Sequence, residues 1–269
     1  MAGGPPAERR PVGPGNIYRW RISARFLPAL SRLSEVFSAV GLGTVSQPQA
    51  VERARSGVWD VTVLVVCGLI REAKLARRLV PDADILIGGG QSARLRTELT
   101  KRARLHRGPI LSAGIAGALD PELKPGSIVI DGDPNTLARL ALALPHAKIG
   151  KVIGQDSIAA NPAMKRKLAG HAVAVDMESH TAAAVARARG LPFGAVRVIS
   201  DTAEETLPPA ALVGMSPDGG MALGKVLASL ARHPGQLPDL IRIGRQSGVA
   251  FRNLARAFDA LARAGFGAD

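Results

Sequence analysis

The sequence carries one cysteine, Cys67, among 269 residues. A lone cysteine excludes an intrachain disulfide framework and a cysteine-built zinc site. Aromatic residues make up only 3% of the chain, which argues against a nucleic-acid surface built on stacking platforms. No apolar run approaches the roughly 18 residues that a membrane-crossing helix needs. The opening stretch MAGGPPAERRPVGPG has no apolar core of the kind a secretory signal requires. The five histidines are scattered without HxxxH or HExxH spacing, so no metal site is expected. GxGxxG, GxxxxGK(S/T) and GxSxG are also absent, which removes the sequence signals of dinucleotide sites, P-loops and the hydrolase nucleophile elbow. No cofactor is expected, and the reading is of a cytoplasmic protein.

Hydrophobic residues make up 46% and charged residues 21%, a balance that builds a packed core. Lys+Arg 35 against Asp+Glu 22 leaves a net charge of +13. An Arg- and Ala-biased composition produces such an excess without function. The alternative is a surface that meets an anionic partner, either nucleic acid or lipid headgroups.

Residues 1–57 read as an N-terminal extension. Its first fifteen residues are rich in Pro and Gly and are expected to be disordered. Residues Ile17 to Val40 have the spacing of a basic amphipathic helix interrupted by Pro28. From residue 58 to 269 the pattern alternates strand, turn and helix. Asp60–Cys67 is a β-branched apolar run, and Cys67 reads as a buried structural thiol. Helix Ile70–Leu79 follows, then strand Ala83–Ile87, the turn Gly88–Gly90, helix Gln91–Leu105 and strand Pro109–Ser112 with a Gly-rich turn over 113–117. Later strands are expected at Ser127–Ile130, Lys148–Ile153, Ala172–Val175 and Ala195–Ile199. Helices are expected at Leu137–Leu144, Met164–Leu168, Met177–Arg189 (stopped by Gly190 and Pro192), Gly219–Arg232 and Leu237–Ala264.

Alternation of this kind predicts an α/β fold with a largely parallel sheet covered on both faces. Ligands bind such sheets at the carboxyl ends of the strands. Glu72, Glu178 and Asp201 all follow apolar strands, as do the Gly turns at 88–90 and 114–117. Each acid also has a simpler reading: Asp201 as a helix cap, Glu178 and Glu72 as first-turn carboxylates favoured by the helix dipole. Their common placement at strand ends is what points to a site. Arg197 lies inside an apolar strand and needs an acidic partner, for which Asp201 is a candidate; the other reading is an Arg reaching solvent.

The segment VAVDMESHTAAAVARARGLPFGAVRVISDTAEE resembles the nucleoside phosphorylase and nucleosidase superfamily, in which a (D/E)-M-E segment precedes R-x-(I/V)-S-D by about twenty residues. SAGIAGALDPELKPGSIVI resembles that superfamily's Gly-rich turn and following strand, with Ser127 in place of an Asp. VCGLIREAKLARRL resembles the nucleosidase strand whose downstream Glu acts on water. Over roughly residues 58–250 the chain is most similar to the hopanoid-associated branch, which is linked to removal of adenine from adenosylhopane.

The resemblance implies a three-layer αβα sandwich with a mixed, largely parallel sheet, and cleavage of the N-glycosidic bond of a 5′-substituted adenosine. It implies that Asp201 protonates or hydrogen-bonds the purine N7. Glu178 takes the ribose hydroxyls with Met177 packed on the sugar, and Glu72 positions the attacking water. Ser200, Gly114 and Ile115 line the substrate, and Arg197 orients the acids. Such roles suit an oxocarbenium-like transition state. Phosphorylases of the superfamily place an Arg and a Ser around the Gly turn. Here Ile115 stands where the Ser is expected, which favours water over phosphate; a phosphorylase is the alternative, and a basic nucleic-acid-binding protein the remote one. The implied partners are a lipid-linked nucleoside and further copies of the chain. The basic amphipathic pattern of 237–269 adds peripheral contact with an anionic membrane on its inner face, unless its apolar side packs on the sheet.

Overall fold

The computed structural model describes residues 62–79, 83–170, 172–214, 216 and 218–266. The extension over 1–57, with the helix expected at 17–40, lies outside them. The first half of the described chain runs β1 (Leu64–Cys67), α1 (Ile70–Leu79), β2 (Asp84–Ile87), α2 (Ser92–Ala103), β3 (Ile110–Ala118), β4 (Ile128–Gly132) and α3 (Pro134–Ala143). The second half runs β5 (Lys148–Ile149), β6 (Val152–Gly154), α4 (Pro162–Ala169), β7 (Ala174–Asp176), α5 (Ser179–Arg189), β8 (Phe193–Asp201), α6 (Pro209–Leu212), α7 (Leu223–Arg232) and α8 (Leu237–Arg263).

The eight strands form one sheet in the order β2-β1-β3-β8-β4-β5, with β7 paired to β3 and β6 to β7. β3 runs parallel to β1 and β8 but antiparallel to β7, and β4 runs antiparallel to β8. The remaining pairs are parallel. On one face α1, α3 and α8 cover the sheet, joining Val65, Val196 and Val198 to Phe251, Leu254 and Phe258. On the other face α2 and α5 pack Leu95, Leu99, Ala182 and Val185 against Leu64, Val66 and Ile110. This is the three-layer αβα sandwich with a mixed, largely parallel sheet expected from the sequence. Strands covered on both faces need apolar residues at every position, so they read as continuous runs. α5 ends at Gly190, whose φ of 64° is the left-handed conformation that glycine adopts without penalty.

Several sequence expectations are corrected. The Gly-rich stretch 113–117 is not a turn: β3 continues through it to Ala118, paired with β8 as far as Asp201 and irregular only between Ala116 and Gly117. Glycines there let side chains from neighbouring elements approach the strand rather than bend it. The strand expected over Lys148–Ile153 is two short ones, because Gly150 presses against the Val173 side chain and the chain changes neighbours from β4 to β7. The helix expected from Gly219 begins at Leu223. The apolar side of the C-terminal helix, offered above as a membrane face, is spent on the core: Phe251, Leu254, Phe258 and Leu261 are all buried against the sheet. Fully burying side chains of this size stabilises by about 1.5–3 kcal/mol each, and residues packed in the core are not presented to a bilayer.

Candidate active site

β1 ends at Cys67, and α1 starts three residues later. Glu72, in the first turn of α1, is buried and folds back on its own helix start, where Oε2 accepts from the amides of Gly68 at 2.8 Å and Leu69 at 2.9 Å. That is the reciprocal half of a capping box, so the helix-stabilising reading of Glu72 holds. Its other oxygen reaches across the sheet, Oε1 accepting from the amide of Ile115 at 2.8 Å. An ionised carboxylate offers about four lone-pair positions, and these three amides leave one for a ligand or water. Burial pushes the Glu72 carboxyl above the usual carboxylate range, while Arg197 and the three amides pull it down.

β7 runs against β3, so the chain leaving β7 heads back toward the carboxyl end of β1. Glu178 reaches the same place as Glu72 by this route and not, as expected, from a strand parallel to β1. Its carboxylate fits against Gly68 and its Cγ against Gly88, where a Cβ at either glycine would come within 2.8 Å. Oε1 accepts from the amide of Gly90 at 3.3 Å. Burial, with the charge of Asp176 added, pushes Glu178 up to about 8 against the pull of Arg197. Glu178 makes no side-chain cap on α5; Asp176 does, accepting from the Ser179 amide at 3.0 Å and from its hydroxyl. Met177 lies half-buried between the two acids.

Arg197, with 0% of its surface exposed, sits at the centre of this cluster. Its partner is Asp176, not Asp201, and it also donates to the Ser112 hydroxyl. The solvent-reaching alternative is excluded by its burial. Nη1 lies beside Gly114 together with Glu72 Oε1: a Cβ on Gly114 would meet both within 2.7 Å. Burial works against the Arg197 charge, but Asp176, Glu178 and Glu72 together hold it above its ordinary value. Gly114 and Ile115 are therefore strand residues whose backbone carries Glu72 and Arg197.

Asp201 stands apart. It is four residues beyond Arg197 on β8, about 13 Å away at the usual rise per strand residue. It is buried inside the strand and caps no helix, since α6 starts only at Pro209. Ser200 Oγ donates to Asp201 Oδ1 at 2.8 Å and lies 3.2 Å from the Ala116 carbonyl. Lys165 of α4 lies against the other oxygen, Nζ to Oδ2 being 2.5 Å. Sequence reasoning missed both Asp176 and Lys165. Asp176 stood in plain view beside Glu178, but Lys165 in a short basic helix reads as a surface residue.

The loop before α7 closes over this edge. Gly219, with φ of 83°, accepts from the Ile70 amide at 2.9 Å, and a Cβ there would clash with Ile87 and the Gly68 carbonyl. A separate open cavity of about 610 Å³ lies between α5 and the β4, β6 and β8 strands, lined by Asp131, Lys151, Ile153, His180 and Phe193 among others. None of Glu72, Glu178, Arg197 or Asp201 lines it, so the convergence of charged groups, not this cavity, defines the candidate site. Cys67 is buried beneath the cluster, and burial pushes its thiol well up, as suits a structural residue.

Residues 135–232 match the family model of the phosphorylase superfamily. The matched stretch runs from α3 to the end of α7; it holds Lys165, Asp176, Glu178, Arg197 and Asp201 but not Glu72. No curated protein matches the chain. Among solved structures, the chain is similar to 5′-methylthioadenosine/S-adenosylhomocysteine nucleosidase from Neisseria meningitidis in complex with methylthio-immucillin-A, at 16% identity and a TM-score of 0.51, covering 74% of this chain and 99% of that one. It is similar also to S-adenosylhomocysteine nucleosidase from Streptococcus pyogenes, at 17% identity and a TM-score of 0.49, over 75% of this chain and 97% of that one. A futalosine hydrolase mutant from Helicobacter pylori matches at 16% identity and a TM-score of 0.44, over 52% of this chain and 88% of that one. At these identities the likeness is one of fold, and the fold is that of the nucleoside nucleosidases.

Proposed function

We propose that the protein is an enzyme that cleaves the N-glycosidic bond of a 5′-substituted adenosine with water, releasing adenine. The observation that carries this reading is Glu72: a buried carboxylate fixed by three amides, with one acceptor position to spare, on the same strand edge as a second fixed carboxylate, Asp201. Glu72 orients the attacking water and takes its proton. Glu178, with Met177 against the sugar, accepts the ribose hydroxyls. Asp201, oriented by Ser200, hydrogen-bonds the purine N7 as the glycosidic electrons move into the base. Negative charge around the ribose favours the oxocarbenium-like transition state. Arg197 holds Asp176, Glu178 and Glu72 in one arrangement, and Gly114 and Ile115 form the floor.

Water is favoured over phosphate. A phosphate needs several donors, yet the Ile115 amide is taken by Glu72, and Arg197, fully buried, is already ion-paired with Asp176 and faces Glu72 and Glu178 as well. The substrate in the branch that the sequence resembles is adenosylhopane, and a lipid tail suits the surface beside the site. Leu223 and Leu227 of α7 are 59% and 64% exposed, next to exposed Met221, Leu237 and Ile241. Lys225, Arg232 and Arg245 are exposed too, with Lys225 and Arg232 on the opposite side of α7 from Leu223 and Leu227. We assign peripheral contact with an anionic membrane to this surface rather than to the buried side of α8. No described helix is long and apolar enough to cross a membrane. Homo-oligomer formation follows the resemblance.

The test is to incubate the purified protein with adenosylhopane and with methylthioadenosine, each with and without phosphate. Free adenine and a free ribosyl product, independent of phosphate, are expected. Strict dependence on phosphate with a 1-phosphate product overturns the hydrolytic reading, and release of adenine from neither substrate overturns the assignment to adenosine-type nucleosides.

A further inference from the structure

Among the described residues Lys165 is, after Arg197, the least exposed charged residue, with 1% of its surface exposed. Lysine is almost never fully buried unless its charge is met. Here all three ammonium donors have acceptors: Asp201 Oδ2 at 2.5 Å, the Thr202 carbonyl, and the Glu205 carbonyl at 3.4 Å. The residue comes from α4, whose start is fixed by Asn161 accepting from the Met164 amide at 3.0 Å. α4 is thus set in place, and its first turn delivers one long side chain to the end of β8.

A buried ion pair is seldom more stabilising than well-packed apolar residues of the same size, because both charges lose their hydration. Stability alone therefore gives little reason for Lys165 at this position. The surroundings of its partner suggest another. Gly117 keeps the neighbouring strand bare beside Asp201, where even a Cβ would stand 3.1 Å from Oδ2. With Ser200 on Oδ1 and Lys165 on Oδ2, the plane of the carboxylate is fixed, and each oxygen retains a lone pair.

We propose that Lys165 is a positioning residue for the departing base: it holds Asp201 as an ion-paired carboxylate that accepts the N–H of the purine and does not itself supply the proton. This rests on the nucleosidase reading above. The step balances as follows. The C1′–N9 bond breaks and its electron pair passes to the purine, which gains a proton at N7 from solvent water. That N7–H donates to Asp201. The attacking water bonds to C1′ and loses its proton to Glu72, which returns it to solvent.

The experiment compares two leaving groups in the full-length protein. Methylthioadenosine needs help at its base, whereas p-nitrophenyl β-D-ribofuranoside departs as a stable phenolate that needs none. For Lys165→Met, the loss of kcat on methylthioadenosine is expected to exceed the loss on the nitrophenyl riboside by about 30-fold or more, somewhat less than the roughly 100- to 10,000-fold of full acid–base assistance, because Asp201 itself remains. Asp201→Asn should show the same selective loss, and the double variant should be little worse than either single one, as for residues acting as a unit. Lys165→Arg keeps the charge and should recover part of the selective loss; it also provides the same ratio if the Met variant does not fold. Equal losses on both substrates, in whichever variant folds, show a purely structural lysine and overturn the proposal. So does additivity in the double variant. A wild-type protein that cleaves the nitrophenyl riboside but releases adenine from neither methylthioadenosine nor adenosylhopane overturns the adenosine reading first, and this inference with it.

Discussion

The two ends of the candidate site solve the problem of buried charge in opposite ways. Around Arg197, three carboxyl groups share one guanidinium, and burial raises Glu72 and Glu178 toward their protonated forms. Around Asp201, one carboxylate meets one ammonium, and the remaining ammonium donors go to carbonyls. At the first end two carboxyl groups are pushed toward holding a proton; at the second, each oxygen of the carboxylate has a fixed donor. A hydrolysis in which water loses a proton at one end while a base is held at the other needs that difference.

Removing the shared cation should give the largest effect. Arg197→Met strands Asp176, Glu178 and Glu72 without a counter-charge, and breaking a buried pair costs about 3–5 kcal/mol. Lys165→Met strands one carboxylate that still has Ser200, so it should cost less. Urea unfolding of the two variants orders them. If Arg197→Met unfolds at the wild-type midpoint, or Lys165→Met is the more damaging, the contrast between a shared and a paired cation is wrong.

Next in size are the two acids themselves. Glu72→Gln and Asp201→Asn each should lower adenine release by at least ~100-fold. Both changes keep the shape of the side chain, so circular dichroism should be unchanged. Near wild-type turnover in either variant removes that residue from the mechanism.

The elements that hold these acids were largely readable from sequence, and the reason is burial. β1 and β8 are covered on both faces and appear as apolar runs, and α1 has the same limits in the sequence reading and in the structure, Ile70–Leu79. The Gly stretch 113–117 misled because glycine marks close approach as well as turns: Gly114 is bare for Glu72 and Arg197, Gly117 for Asp201. Which acid faces Arg197 was hidden because it depends on β7 running antiparallel to β3, a pairing set by three residues, Ala174–Asp176. Lys165 was hidden because a lysine flanked by Arg166 and Lys167 has the pattern of a solvated face, and only tertiary packing turns it inward.

The proton-exchanging end should also show in the pH dependence of stability. Glu178 is pushed up to about 8 in the folded protein from an ordinary value of 4.5. Between those limits the folded state binds more protons than the unfolded one, so its contribution to stability is present below about pH 4.5 and is lost as pH rises toward about 8. Glu72 is shifted in the same direction and adds to the trend. Glu178→Gln, which stays neutral throughout, should flatten this fall in urea midpoints measured from pH 5 to pH 8.5 (about the window that linkage sets). A fall as steep in the variant as in the wild type places the proton uptake elsewhere.

The smallest expected effect concerns the surface beside the site. α7 has its apolar residues at positions 223, 226, 227 and 230, the spacing of one helix face. In most surface helices that face is turned inward, yet here Leu223 and Leu227 are largely exposed while Ser229 is the buried residue. An apolar stripe on a basic protein can rest at a bilayer interface, where anionic lipid adds a further attraction of about 1 kcal/mol for each Lys or Arg that comes near it. Full-length protein should therefore float weakly with vesicles containing anionic lipid at low salt, and less with neutral vesicles or at high salt. Leu223→Ser with Leu227→Ser should weaken flotation further and leave methylthioadenosine turnover alone, because neither side chain touches the carboxylates. If the wild type does not float with anionic vesicles, or the double variant floats as well as the wild type, α7 does not meet the membrane and a lipid-linked substrate must reach the site by another face.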